Sequence, residues 1–214
     1  MPELNQLYEA ILAGDAKTAV EVARAALAEN EAPLKLLLEY MVPAMDEVGR
    51  RFQCEEFFVP DLLLSGRAMK ATLELLRPLL SASGAQPAGR VVIGTVKGDL
   101  HDIGKNLVAS LLEGGGFEVY DVGADVSPEQ FIEAIQSRNP DIVALSALLT
   151  VTMPAMKTTI DELKRAGVRD SVKVMIGGAP VTRQYAEEIG ADAYGEDASV
   201  AVSIARSLMA KTPK

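Results

Sequence analysis

The chain has 214 residues, 49% of them hydrophobic, enough for one large domain or two small ones with a well-buried core. Its formal charge of −9 argues against a nucleic-acid binder, because phosphate contacts need clustered Lys and Arg, and the lack of Trp leaves little for base stacking. The opening MPELNQLYEAILAGD has neither a basic start nor a long apolar run, and about 18 consecutive apolar residues occur nowhere, so the expectation is a cytoplasmic protein without signal peptide or membrane span.

Residues 1 to about 80 read as helices. Leu4, Leu7, Ile11 and Leu12 keep a helical stripe, and Gly14-Asp15 ends it and caps the next helix, 16 to 28. A third helix is expected from about 32 to 52, with a kink at Pro43. A fourth begins near Pro60 and carries Leu62, Leu63, Leu64, Met69, Leu73, Leu76 and Leu79. Four amphipathic helices with short connections predict a small antiparallel bundle. Cys54, the one cysteine, excludes an intramolecular disulfide and any CxxC site; near a helix end it reads as a small buried hydrophobe.

SASGAQPAG, 81 to 89, is small, polar and flexible, and is expected to be a linker between domains at 1–80 and 90–214. Beyond it the period changes. RVVIGTV (90 to 96) is a β-branched run, followed by a glycine loop and a helix of about ten residues from Ile103. FEVYDVG (117 to 123), DIVALSALL (141 to 149) and VKVMIGG (172 to 178) are further strands, with a short fifth at 191 to 193. Helices are expected at 127 to 139, where Ser127 precedes Pro128, and at 153 to 167, 181 to 189 and 197 to 210. This alternation predicts a flavodoxin- or Rossmann-like doubly wound parallel sheet of five strands, in the order 2-1-3-4-5, behind the helical cap.

Ligands of such sheets bind at the carboxyl ends of the strands, where strand order reverses. The loops that meet there are GDLHDIG, SALLTVT and GGAPV. The first resembles a Walker A loop only superficially: five residues separate Gly98 from Gly104, and Asn106 stands where a magnesium-binding Ser or Thr belongs. No GxGxxG follows the first strand either. What the loop does hold is His101, the one histidine of the chain. A lone histidine is ordinarily a surface residue, and Gly104 an ordinary turn glycine. Here, however, Asp99 lies two residues before it, on the same side of an extended loop. A carboxylate on one ring nitrogen fixes the tautomer and leaves the other as a metal ligand. No second His or Cys can complete a protein-only metal site beside it. A metal that brings its other ligands in a macrocycle resolves the shortage.

Asp99-x-His101-x-x-Gly104, then Ser146-x-Leu148, then Gly177-Gly178, resembles the three-part signature of cobalamin-binding domains, as in the cobalamin-binding module of methionine synthase. MDEVGRRFQCEEFFVPDLLLSGRAMK (45 to 70) is similar to a recurring segment of that family's helical cap. The resemblance covers nearly the whole chain. It implies cobalamin, or a related corrinoid, bound base-off with His101 as the axial ligand of cobalt and Asp99 on its other nitrogen. Asp102, Ile103 and Gly104 would line the cofactor, Gly104 letting its nucleotide tail pass close to the backbone. Ser146 and Thr150 would meet the tail's base or the corrin edge, with Leu148 packing beneath. Gly177, Gly178, Ala179 and Tyr194 would line the tail channel. Thr152 stands where methionine synthase has a serine that extends the Asp–His relay; its methyl restricts rotamers, so the relay is expected to be less secure. Phe58 of the cap is the candidate for shielding the upper cobalt face, against its reading as an ordinary core aromatic.

A cap and a binding domain alone resemble the stand-alone corrinoid proteins of one-carbon metabolism. These take a methyl group from a substrate-specific methyltransferase onto Co(I), and give it up from methyl-Co(III) to a second methyltransferase with a thiol or tetrahydrofolate acceptor. A reductive activase is a further implied partner. On that reading the chain is a carrier subunit rather than a catalyst by itself, and the linker lets the cap swing aside. The alternative is a cobalamin-dependent sensor without its DNA-binding module; a radical isomerase subunit would need a large catalytic barrel that has no room here.

Overall fold

A computed structural model describes residues 4–210. Two compact units divide the chain, one formed by the residues up to 87 together with 113–116, the other by 88–112 and the residues from 117 on. Among the described residues no helix is long and apolar enough to cross a membrane.

The first unit contains α1 (Asn5–Leu12), α2 (Ala16–Ala28), α3 (Pro33–Leu36), a π turn (Leu37–Met41), α4 (Val42–Gln53) and α5 (Val59–Ala82). Asp15 caps α2, its Oδ1 accepting from the Thr18 amide at 3.0 Å. Gly14 before it cannot be replaced cheaply: its φ is +72°, and a Cβ there would sit 2.5 Å from the Leu64 Cβ. The disturbance expected at Pro43 takes the form of the π turn. Proline has no N–H for the carbonyl four residues back and its ring crowds that carbonyl, so the helix widens and the Val42 amide reaches Leu37 O instead. On α5, Leu62, Met69, Leu73 and Leu76 share the buried face, whereas Leu63, Leu64 and Leu79 lie off it and stay exposed. The helix runs to Ala82, over the first residues of the expected linker, because nothing before Gly84 breaks it. Cys54 is exposed, contrary to expectation: it follows the last turn of α4, outside the apolar stripe, and its sulfur lies 3.7 Å from Arg50 Nη1.

The second unit is a parallel sheet of β1 (Arg90–Thr95), β2 (Glu118–Asp121), β3 (Ile142–Ser146), β4 (Lys173–Gly177) and β5 (Ala193–Gly195), in the order β2-β1-β3-β4-β5. The helices are α6 (Ile103–Gly114), α7 (Pro128–Arg138), α8 (Pro154–Arg165), α9 (Arg183–Ile189) and α10 (Ala198–Ala210). Val91 and Ile93 pack with Leu112, Phe117 and Ala205 on one face; Val92 and Val96 pack with Phe131, Met156 and Ile160 on the other. Burial on both faces is why the strands read as continuous apolar runs. Ser127 and Gln130 form the capping box that starts α7. β5 begins two residues later than expected, because Asp192 is spent before the ladder: its Oδ2 accepts from the Val174 amide at 2.7 Å and from Arg169 Nη2 at 2.8 Å.

Candidate functional site

Strand order reverses between β1 and β3, and there Thr95, Ser146, Gly177 and Gly195 lie in one register row at the carboxyl edge. The loop leaving β1 turns at once, the Asp99 amide donating to Val96 O at 3.1 Å, and Thr95 Oγ1 holds the His101 carbonyl at 2.9 Å. Asp99 is completely buried. Its Oδ1 accepts from the His101 amide at 3.0 Å and faces His101 Nδ1 at 2.7 Å. Its Oδ2 accepts from Thr152 Oγ1 at 2.6 Å, the Leu148 amide at 2.8 Å and the Leu149 amide at 3.3 Å. Burial alone pushes this carboxyl up; the Thr152 hydroxyl, the Leu148 and His101 amides and the imidazole outweigh it and hold Asp99 well below the usual carboxylate range.

An ionised carboxylate only accepts, so Nδ1 carries a proton and donates it, and in the neutral ring Nε2 keeps its lone pair. The ring is half exposed, so that lone pair is available. Around it the same loops leave large apolar side chains in the open: Leu100, Ile103 and Val151 are each more than 70% exposed, and Leu148 and Leu149 about half as much. Unpaired apolar groups on two adjoining loops mark a binding surface. Among the described residues no three His, Cys, Asp or Glu side chains are grouped to hold a metal ion. One nitrogen donor in an apolar rim suits a metal already held in its own ring. Gly104 is exposed at the start of α6, and a Cβ there would meet no protein atom within 4 Å.

The remaining residues singled out in the sequence fall at different places. Asp102 and Ile103 are exposed at the start of α6, the Asp102 carbonyl accepting from the Asn106 amide at 2.7 Å. Ser146 ends β3, half buried, with its carbonyl accepting from the Val96 amide at 3.0 Å; Thr150 is exposed in the turn that follows. The glycine pair has a reason internal to the fold. A Cβ on Gly178, whose φ is +131°, would lie 1.9 Å from Ala147 O, and one on Gly177 would lie 2.9 Å from Gly195 O. Ala179 is exposed beyond β4, and Tyr194 is half buried on β5 opposite Ile176. Phe58 lies in the first unit and is 62% exposed, so it is not an ordinary core aromatic. The Thr152 hydroxyl reaches Asp99 at 2.6 Å, with its methyl 3.7 Å from where a Gly98 Cβ would be. Sequence reasoning missed Thr95, the Leu149 amide and Gly195. None carries a mark in the sequence, since a backbone amide is the same in every residue and a threonine or glycine ends many strands.

A doubly wound sheet whose one imidazole is braced by a buried carboxylate within an apolar rim defines a corrinoid-binding class of protein. Profiles of the B12 binding domain match residues 89–203 and, separately, residues 3–77. The chain belongs to the B12-binding family. It is 44% identical over 191 residues to trimethylamine corrinoid protein 2 of Methanosarcina mazei, covering 88% of each chain. It is 42% identical over 209 residues to the dimethylamine corrinoid protein of Methanosarcina barkeri, covering 97% of each. Among solved structures, a chain of the methanol:cobalamin methyltransferase complex from Methanosarcina barkeri superposes with a TM-score of 0.86 at 32% identity, over 98% of this chain and 81% of that one.

Proposed function

We propose that this chain is a cytoplasmic methyl carrier, which holds cobalamin or a related corrinoid base-off with His101 on the cobalt. Such a cofactor supplies a metal that takes up and gives up a methyl group while cycling between Co(I) and Co(III). The chain's own part is to bind, orient and protect. His101 offers Nε2; Asp99 fixes its tautomer, and Thr152 with the Leu148 and Leu149 amides fixes Asp99. Asp102, Ile103 and Gly104 border the cofactor at the start of α6, and Ser146, Leu148 and Thr150 border it after β3. Gly177, Gly178, Ala179 and Tyr194 would flank the nucleotide tail of the cofactor. A substrate-specific methyltransferase, a second methyltransferase and a reductive activase are the partners of the reading. The donor is a methylated amine, on the strength of the corrinoid proteins at 42–44% identity, against 32% for the methanol system.

The observation that carries the proposal is the 2.7 Å contact of the buried Asp99 carboxylate with His101 Nδ1, which by its chemistry leaves Nε2 as the nitrogen for a ligand, beside exposed apolar side chains. Purified protein reconstituted with methylcobalamin is expected to show the base-off spectrum, and His101→Ala to alter it. A wild-type chain that takes up no cobalamin at micromolar levels defeats the reading. Methyl uptake from trimethylamine and not from methanol, with the cognate methyltransferase added, tests the donor.

A further inference from the structure

The loop that carries His101 is braced from a second side. Across the sheet edge from β3, the segment after β2 is tied to β1 by its own bonds: the Thr95 amide donates to Gly123 O at 2.9 Å and the Val126 amide to Thr95 O at 2.9 Å. Between those anchors Asp125 adopts a left-handed φ of +56°. That conformation turns its backbone and its carboxylate toward the same turn. Its amide donates to Asp99 O at 2.9 Å. Its Oδ1 accepts from the Gly98 amide at 2.8 Å, and its Oδ2 pairs with Lys97 Nζ at 3.0 Å.

We propose that Asp125, together with Lys97, is a positioning residue for the His101 imidazole, acting through the backbone of Gly98 and Asp99. The need for it follows from the turn. Gly98 sits at φ +86° and has no side chain to restrain it, so its amide plane is the hinge about which Asp99 could rotate. The Asp99 carboxylate fixes the loop only on the β3 side. Asp125 on one side, and Thr152 with the amides of Leu148 and Leu149 on the other, add to the turn's own bonds from the Asp99 amide to Val96 O and from Thr95 Oγ1 to His101 O in setting the orientation of the carboxylate, and with it the ring. An exposed ion pair contributes little stability, so Lys97–Asp125 is there for geometry. The geometry stands without a ligand; its consequence for cobalt rests on the corrinoid reading.

The test uses the full chain with 15N-labelled histidine, whose single imidazole gives one set of ring signals. Wild-type protein is expected to show the Nδ1–H tautomer with a slowly exchanging proton. In Asp125→Ala that proton is expected to exchange about tenfold faster, the loss of roughly one hydrogen bond of restraint, with a smaller Nδ1–H fraction. Asp125→Asn, which keeps an acceptor for Gly98, should restore most of it. Lys97→Ala, which leaves the backbone contacts intact, serves should Asp125→Ala not fold; it is expected to speed exchange less. Ring signals within twofold of wild type in the folded variants, whatever their melting temperature, overturn the inference. A parallel titration with aquocobalamin separates the two claims. Weaker binding by Asp125→Ala supports both, whereas a wild-type chain that ignores aquocobalamin removes the corrinoid reading and leaves the ring signals to judge Asp125.

Discussion

Asp99 has donors on both oxygens, and that decides what a neutral substitute would do. In Asp99→Asn the amide oxygen must face the Leu148 and Leu149 amides and the Thr152 hydroxyl, which leaves the NH2 group toward His101. Nδ1 then has to accept, the proton moves to Nε2, and the ligand lone pair is lost. Nitrogen NMR of the ring should report the inverted tautomer, and cobalamin-loaded protein should lack histidine on cobalt; an unchanged tautomer refutes the account. The two glycine motifs separate in the same way. Gly178→Ala places a methyl against Ala147 O and is expected to destabilise the chain by at least about 3 kcal/mol in urea unfolding. Gly104→Ala meets no protein atom, so stability should hold or rise by at most about 1 kcal/mol while cobalamin affinity falls. The Asp99–His101 pair was legible because two residues of spacing in a loop put both side chains on one side. The amides completing the site were not, since they depend on where a distant strand stops.

Elements were legible where one physical period ruled them. The buried face of α5 and the apolar runs of β1, β3 and β4 follow from helical and two-sided burial, and the caps at Asp15 and Ser127 from side-chain chemistry. Ends set by long-range bonds were not. β3 stops at Ser146 although its apolar residues run on to Leu149, because Asp99 claims the Leu148 and Leu149 amides that a longer strand would use. In the cap, Pro43 marked a disturbance, but proline alone does not choose between a kink and a π turn. The end of α4 carries a device the periodicity does not show. Glu47 accepts from Arg50 Nε at 2.7 Å and Arg51 Nε at 2.8 Å, hydrogen bonds that hold its carboxyl down to about 2. Arg51 in turn lies over the Phe57 ring at 5.2 Å, and Arg50 reaches Glu56. Glu47 therefore ties α4 to the turn that leads to Phe58. Glu47→Ala is expected to speed amide exchange at residues 54–58 with little change in melting temperature; unaltered exchange there argues against the tie.

At the scale of the molecule, part of the loss of stability in acid should come from the site. The Asp99 carboxyl lies below its ordinary 3.8 in the native state, so its contribution is complete above that value and is lost as pH falls through the native one. Urea midpoints measured from about pH 5 down to about pH 2 should fall more steeply for wild type than for Asp99→Asn, and parallel slopes would contradict this. Class and topology were legible for the whole chain because the period changes once, near residue 90, and the rest follows from alternating strands and helices. The partners' surfaces were not, since no single residue type marks them.

The contrast between the two glycine positions reaches beyond this chain. On the proposed function, a descendant that abandoned its cofactor would be free to vary at position 104 yet stay bound to glycine at 178, where the backbone itself forbids anything larger. Drift at the start of α6, with the pair after β4 intact, is thus the signature by which an emptied member of this lineage would be told from a working one.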